Sequence, residues 1–337
     1  MVSIERFAIQ DTVHQSLDFS ALTSITGIEL DSGTTVDNAT INTVLGSGQS
    51  LTLGSITDGD TASASLSDGG IKISQANSIT ALNLTLDDIG PASAITNSNL
   101  FIDIAGEAVT TANITSANDS FIVLENSGAI LNTLNLTGSG TLGIIGTLAN
   151  SVTTINGGNS TANLTLTTGL GNDAIVTGTG NDIITLTGGT NNVTSGDGND
   201  TVNLSSGSDS VTTGSGDDNV VAGAGNNTIN TGADDDQVNL TGGTNDLNTG
   251  TGNDQVTASG GNNTISTETG NDQITISGGT NTIASGDGAD TLSLSAGISN
   301  ISTGSGDDTI TASGGASNVD IRSLDGGSGT DRLNIIS

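Results

Sequence analysis

The chain has 337 residues, with 4 Lys and Arg against 36 Asp and Glu and a net charge of −32. Such a charge excludes the usual nucleic-acid binder, repels anionic membrane and attracts cations. There is no Cys, Trp or Tyr and a single Pro, so disulfides brace nothing, and no apolar run is long enough to span a bilayer.

The length admits one long or two ordinary domains, and the patterning suggests two regions, 1–160 and 161–337. The opening MVSIERFAIQ lacks the charged-then-apolar order of a signal peptide. Ser16 to Leu22 is the one stretch that suggests a helical turn. Beyond it, short alternating runs recur at Ser50–Leu53, Ile79–Leu86, Thr133–Thr137 and Ala162–Leu166. Aliphatic and Thr residues at period two, broken by Gly, Ser, Asn and Asp, describe β-strands. The spacing is uneven, which predicts an irregular β-solenoid or β-sandwich for 1–160. The four Phe (7, 19, 101 and 121) all fall here and read as core plugs, and His14, the only His, as a structural residue. Asp58, Asp60, Asp87, Asp88 and Asp103 read as exposed turn acids, with extra cation sites as the alternative.

From about 177 to 320 the pattern becomes strict. Asp182, Asp200, Asp218, Asp236, Asp254, Asp272, Asp290 and Asp308 recur every 18 residues, most of them in glycine-rich phrases such as TGTGND and TGSGDD. A fixed period with a fixed carboxylate means one unit stacked on copies of itself. Two places after each Asp stands an aliphatic (Ile184, Val202, Val220, Val238, Val256, Ile274, Leu292, Ile310), with a second or Ala two further on. The other half of the period carries Val193, Val211, Ile229, Leu247, Ile265, Ile283, Ile301 and Val319. Spacing of two places side chains on one face of a strand. Each unit is therefore strand, turn, strand, turn, and the stack is expected to be all-β: a right-handed parallel β-solenoid or β-roll with 18-residue coils.

The opposite turn, nine residues after each Asp, supplies a control. There the series is Asn191, Asp209, Asn227, Asn245, Asn263, Asn281, Ser299 and Ser317. Asn and Asp both suit turns, so turn geometry alone does not explain an edge that is entirely Asp. Stacked strands lie about 4.8 Å apart, and two carboxylates at that distance repel by roughly 1 kcal/mol even in water. Only Arg322 and Arg332 lie near the array. A divalent cation is the simplest neutraliser, and flexible oxygen-rich turns suit Ca²⁺ better than Mg²⁺. Plain turn-forming Asp is the competing account.

These phrases resemble the nonapeptide GGxGxDxUx of the RTX (repeat-in-toxin) calcium-binding family, in which U is a large aliphatic. Gly326 to Asn334 matches every fixed position, and Gly169 to Asp173 is a looser copy. The resemblance implies Ca²⁺ held between consecutive turns by aspartates and carbonyls, with Asp182 through Asp308 and Asp331 as ligands. Asp173 and Asp209 are candidates for isolated ions on the other edge. TGGTN at 187–191 and 241–245 departs from the motif and implies little binding there. Asp234 and Glu268 replace turn glycines and put their sites in question.

No phrase resembles an active site: there is no HExxH, no Cys–His pair and no partner phrase for His14. A row of identical acids looks like metal ligation, whereas catalysis needs one distinctive site, so no enzyme is expected. The Thr/Ser/Asn/Gly-rich first half, with LNTLNLTGSGTL, is similar to bacterial surface-layer proteins that carry RTX repeats. The expected function is thus a secreted calcium-binding structural protein of the cell surface, exported by type I secretion, folded by external Ca²⁺ and self-associating into a lattice or filament. A cell-surface glycan is a further candidate partner. The ending Leu333 to Ser337 reads as a secretion signal or, preferentially, as the edge of a fragment. An adhesin segment that binds ice is an alternative, although acids interrupt its outward rows (Thr179, Asp197, Ser215; Asn181, Asn199, Asp217). The calcium-binding tail of a secreted enzyme is another.

Overall fold

The computed structural model describes residues 8–9, 17–18, 27–30, 35–36, 40–45, 49–54, 57–58, 70–75, 80–87, 89, 100–104, 108–126, 130–313 and 319–336. His14, Phe7, Phe19, Asp60, Asp88 and Ser317 lie outside them, as do the side chains of Phe101 and Asp58. The chain divides into two compact units, 1–171 with 176–180 and 172–175 with 181–337. Among the described residues there is no helix, and none therefore that is long and apolar enough to cross a membrane.

In the first unit, Gly27–Leu30, Ser50–Gly54, Ala81–Asp87, Thr111–Ser116, Thr133–Gly138 and Thr154–Asn156 pair in parallel, each with the next. Leu17–Asp18, Thr40–Leu45, Gly70–Gln75, Leu100–Ile104, Ser120–Glu125, Leu142–Thr147 and Leu164–Thr167 form the other row. The chain alternates between the two rows, which is a solenoid rather than a sandwich. Leu51 pairs with Leu84 but Ala112 with Leu134, so the coils differ in length. Inward side chains stack in ladders: Leu82, Leu84 and Leu86 lie beside Ala112, Ile114 and Ser116, all buried.

Two expectations for this half are corrected. Leu17–Asp18 is a strand paired with Thr43–Val44, because parallel pairing to the next coil overrides weak local helix preference. Phe121 points outward, half-buried, between inward Ser120 and Ile122. Its ring covers Gly143 of the next coil, where an added Cβ would lie 2.4 Å from the ring. A bare glycine on a sheet face is thus shielded by the aromatic beside it.

In the second unit the register is 18 residues without a slip from Ile184 through Val202, Val220, Val238, Val256, Ile274 and Leu292 to Ile310. The facing sheet runs Val193, Val211, Ile229, Leu247, Ile265, Ile283, Ile301. All of these are buried, and burying each aliphatic contributes about 1.5–3 kcal/mol. Ile274→Ala is expected to cost about 2–5 kcal/mol, read as a lower denaturation midpoint in calcium.

The period breaks after Asp308. Ile310 pairs with Leu333 and Ile301 with Leu324, while Val319, expected in the ladder, pairs with Gly297. The longer last coil is absorbed partly by a register shift between Ser299 and Asn300, which moves Leu324 into the ladder position.

Candidate metal centre

The turns of the second unit carry glycines in the left-handed region. At Gly252 (φ 138°) an added Cβ would lie 2.0 Å from the carbonyl oxygen of Asp234 in the preceding coil, so the close stacking of turns demands glycine there. Asp234 (φ 79°) and Glu268 (φ 59°) adopt the left-handed conformation without being glycine. Asp234 Oδ2 accepts from Gly216 N–H (3.1 Å) and Glu268 Oε1 from Asn248 Nδ2 (2.8 Å). Both turns therefore stay in register.

This tight turn folds the aspartates inward. Asp182, Asp200, Asp218, Asp236, Asp254, Asp272, Asp290 and Asp308 are all 2% exposed or less. Each coil's Asp N–H donates to Oδ1 of the next Asp: Asp182 to Asp200 (2.8 Å), Asp218 to Asp236 (2.9 Å), Asp254 to Asp272 (2.8 Å), and so on to Asp290 and Asp308 (2.9 Å). The second oxygen differs. Oδ2 of Asp200, Asp218, Asp236, Asp254, Asp272, Asp290 and Asp308 is buried and meets no donor.

The opposite edge shows what that oxygen lacks. Asn227, Asn245 and Asn263 donate Nδ2 to Oδ1 of Asn245, Asn263 and Asn281 (2.8–2.9 Å). Nδ2 of Asn245, Asn263 and Asn281 also donates to the glycine carbonyl three residues back, at 3.0 Å. An amide nitrogen with two protons sits among acceptors and satisfies them. On the Asp edge the corresponding atom is itself an acceptor. Buried oxygens gathered with no proton between them need a cation.

The proton affinities agree. Burial raises Asp200 and Asp236 to about 7 and Asp272 to about 6, with neighbouring row carboxylates pushing the same way. The nearby hydroxyls of Ser195, Thr231 and Thr267, whose own hydrogen bonds go to carbonyls, and the backbone N–H on Oδ1 offset only part of this. Asp218, Asp254 and Asp290 are also raised, first by burial. The two arginines near the array are engaged elsewhere: Arg322 pairs with Asp320 (3.3 Å) and Arg332 Nε donates to Asn334 (2.8 Å).

No three acidic or His side chains converge at a point among the described residues. An ion here would take carboxylates from successive coils and complete its shell with turn carbonyls, a hard-oxygen set that suits Ca²⁺.

The remaining sequence candidates are placed differently. Asp331 lies in the last coil, exposed, with Oδ1 accepting from Asp308 N–H (3.2 Å). Asp209 is buried on the Asn edge, and its Oδ1 accepts from both the backbone N–H and Nδ2 of Asn191 (2.8 Å each). Burial raises its pKa and those bonds lower it. Asp173, also buried, donates its N–H to Asn191 Oδ1 (2.9 Å). Asp173, Asn191 and Asp209 line an open surface depression of about 560 Å³. In the first unit Asp103 is buried rather than an exposed turn acid, in a strand where it pairs in register with Lys72 and Glu125.

One set of residues went unnoticed in the sequence. The Ser or Thr five positions before each Asp is fully buried, and in most coils its hydroxyl donates to the carbonyl of its counterpart in the next coil: Thr213 to Thr231 (3.0 Å), Thr267 to Ser285 (2.9 Å) and Ser285 to Thr303 (3.2 Å), Thr249 being the exception. It recurs with the same period as the Asp, in the place where the nonapeptide has glycine.

The family model of the RTX calcium-binding nonapeptide repeat matches residues 167–202, 203–238, 212–245, 239–274, 275–297 and 294–316. No curated protein matches the chain.

Proposed function

Since residues 167–316 are RTX calcium-binding nonapeptide repeats, we propose that the chain is a secreted structural protein of the cell surface, a surface-layer or matrix component, that folds and assembles on meeting Ca²⁺. One observation carries the folding half of this reading: a row of buried aspartates whose second oxygens have no donor, facing an edge where asparagine needs no ion. Asp182 to Asp308, with turn carbonyls, hold the ions; Asp331, Asp173 and Asp209 are outlying candidates. Calcium supplies positive charge between coils, and the chain's own part is to present oxygens at fixed spacing. In a calcium-poor cytosol the row repels itself and the chain stays extended and exportable. Outside, calcium neutralises the row and the coils close. Folding and metal binding are then one event. The reading assigns the chain no catalysis.

The test is a calcium titration of the full chain, followed by circular dichroism, small-angle scattering and electron microscopy. Cooperative gain of β signal with compaction, then ordered assemblies, is the expected course. An unchanged β signal in chelator would defeat the folding switch, and a compact monomer at high protein concentration would defeat assembly.

A further inference from the structure

In six successive coils the residue immediately before the row aspartate makes a second inter-coil bond that runs the other way. Asn199 N–H donates to Asn181 Oδ1 (2.9 Å), Asp217 to Asn199 (3.1 Å), Asp235 to Asp217 (3.1 Å), Asn253 to Asp235 (2.7 Å), Asn271 to Asn253 (2.9 Å) and Ala289 to Asn271 (2.8 Å). Two adjacent N–H groups in each turn thus point to opposite neighbours, and each is met by a side chain from the coil it faces. Only one acceptor oxygen is used, so Asn and Asp serve equally, as Asn199, Asp217, Asp235 and Asn253 show in succession. The joint at 308 and 331 keeps both bonds, with Thr330 N–H donating to Asp307 Oδ1 (2.8 Å).

One joint has a single clamp. Ala289 has no side-chain acceptor, and among the described residues the N–H of Asp307, which faces it, makes no hydrogen bond. Asp290 N–H to Asp308 Oδ1 (2.9 Å) is the only one of the pair left. Asp307 is exposed, and a turn amide held by no protein acceptor is where backbone opens most easily.

We infer that the residue preceding each row aspartate positions that aspartate for the ion, and that Ala289 leaves one joint half-clamped, so the coils from 307 onward open first when calcium falls. The clamp fixes the spacing and tilt of successive turns. The aspartate then needs only to offer its free oxygen, with no reordering of the backbone when the ion arrives. The calcium half of this inference rests on the function proposed above; the clamp pattern does not.

Hydrogen exchange of the full chain, resolved by residue and followed while free calcium is lowered, tests it. The Asp307 amide is expected to exchange about tenfold faster than those of Asn199, Asp217, Asp235, Asn253 and Asn271, the worth of about one hydrogen bond. Ala289→Asn should slow it by a similar factor and delay the opening of 307–336 to lower free calcium. Asn253→Ala should move a fast amide to Asn271, and Asn253→Asp should restore protection, a rescue that packing volume alone does not predict for Ala against Asp at an exposed site. If Asn253→Ala fails to fold, Ala289→Asn decides alone, since it only adds a bond. An Asp307 amide as protected as the others, or an unchanged order of opening in Ala289→Asn, overturns the inference. Should calcium have no effect on any coil while the amide pattern holds, the calcium reading fails and the clamp stands.

Discussion

Replacing Asp200, Asp218, Asp236, Asp254, Asp272 and Asp290 together by asparagine is expected to yield a chain that folds in chelator and has lost most of its calcium binding. The molecule already contains the product of this experiment on its other edge. There the Asn227, Asn245, Asn263 and Asn281 amides are joined at 2.8–2.9 Å and three of them reach the glycine carbonyl behind. The bond from each Asp N–H uses only Oδ1, which asparagine keeps. Its Nδ2 would replace the donorless Oδ2 with two protons among acceptors. What is removed is the penalty of a buried, ionised and unpaired group, roughly several kcal/mol per site before relaxation. Circular dichroism in chelator and a calcium isotherm check it. A variant that stays unfolded without calcium would show that the Asp edge differs from the Asn edge by more than one atom per coil, and the ion's role would have to be sought in backbone geometry.

The regular half of the fold was legible because its period is fixed. An aliphatic two and four places after each Asp can face only one way on a strand, and Val202 to Ile310 stack as that spacing requires. The contrast of Asp and Asn edges was visible too. The direction of the carboxylates was not: the letters of a glycine-rich turn do not say whether its acid faces water or the coil below, and here burial is near complete. Residues 1–160 have no constant interval to read. Coils of different length link Leu51 to Leu84 and Ala112 to Leu134, so strands as short as Leu17–Asp18 are defined only by their neighbours. Phe121 was misplaced because hydrophobicity alone does not reveal that a glycine lies beside it in the next coil. Val319 lost its place to Leu324 because the last coil is longer than the others and adds a register shift, which together alter pairing while leaving local composition unremarkable.

In calcium-free buffer the chain should hold its coils in acid and lose them toward neutrality, the reverse of ordinary acid denaturation. Asp200 and Asp236 are raised from 3.8 to about 7 and Asp272 to about 6, and Asp218, Asp254 and Asp290 rise as well. A group whose folded pKa lies above its unfolded value binds its proton more tightly when folded. Its stabilising effect is complete below the unfolded pKa and disappears as pH climbs through the folded one. The window thus runs from near 3.8 to about 7, and within it the proton does the work assigned to the ion. A β signal present near pH 4–5 should be gone by about pH 8, and calcium added there should restore it. The competition has a second reading: just below the raised pKa values, calcium uptake must displace protons from the row, so binding should weaken with acidity and release protons into a lightly buffered solution. Dichroism against pH with and without calcium, together with the proton count on binding, measures both. A chain that unfolds on acidification in the absence of calcium would mean the carboxylates are stabilised as anions by something other than a bound cation.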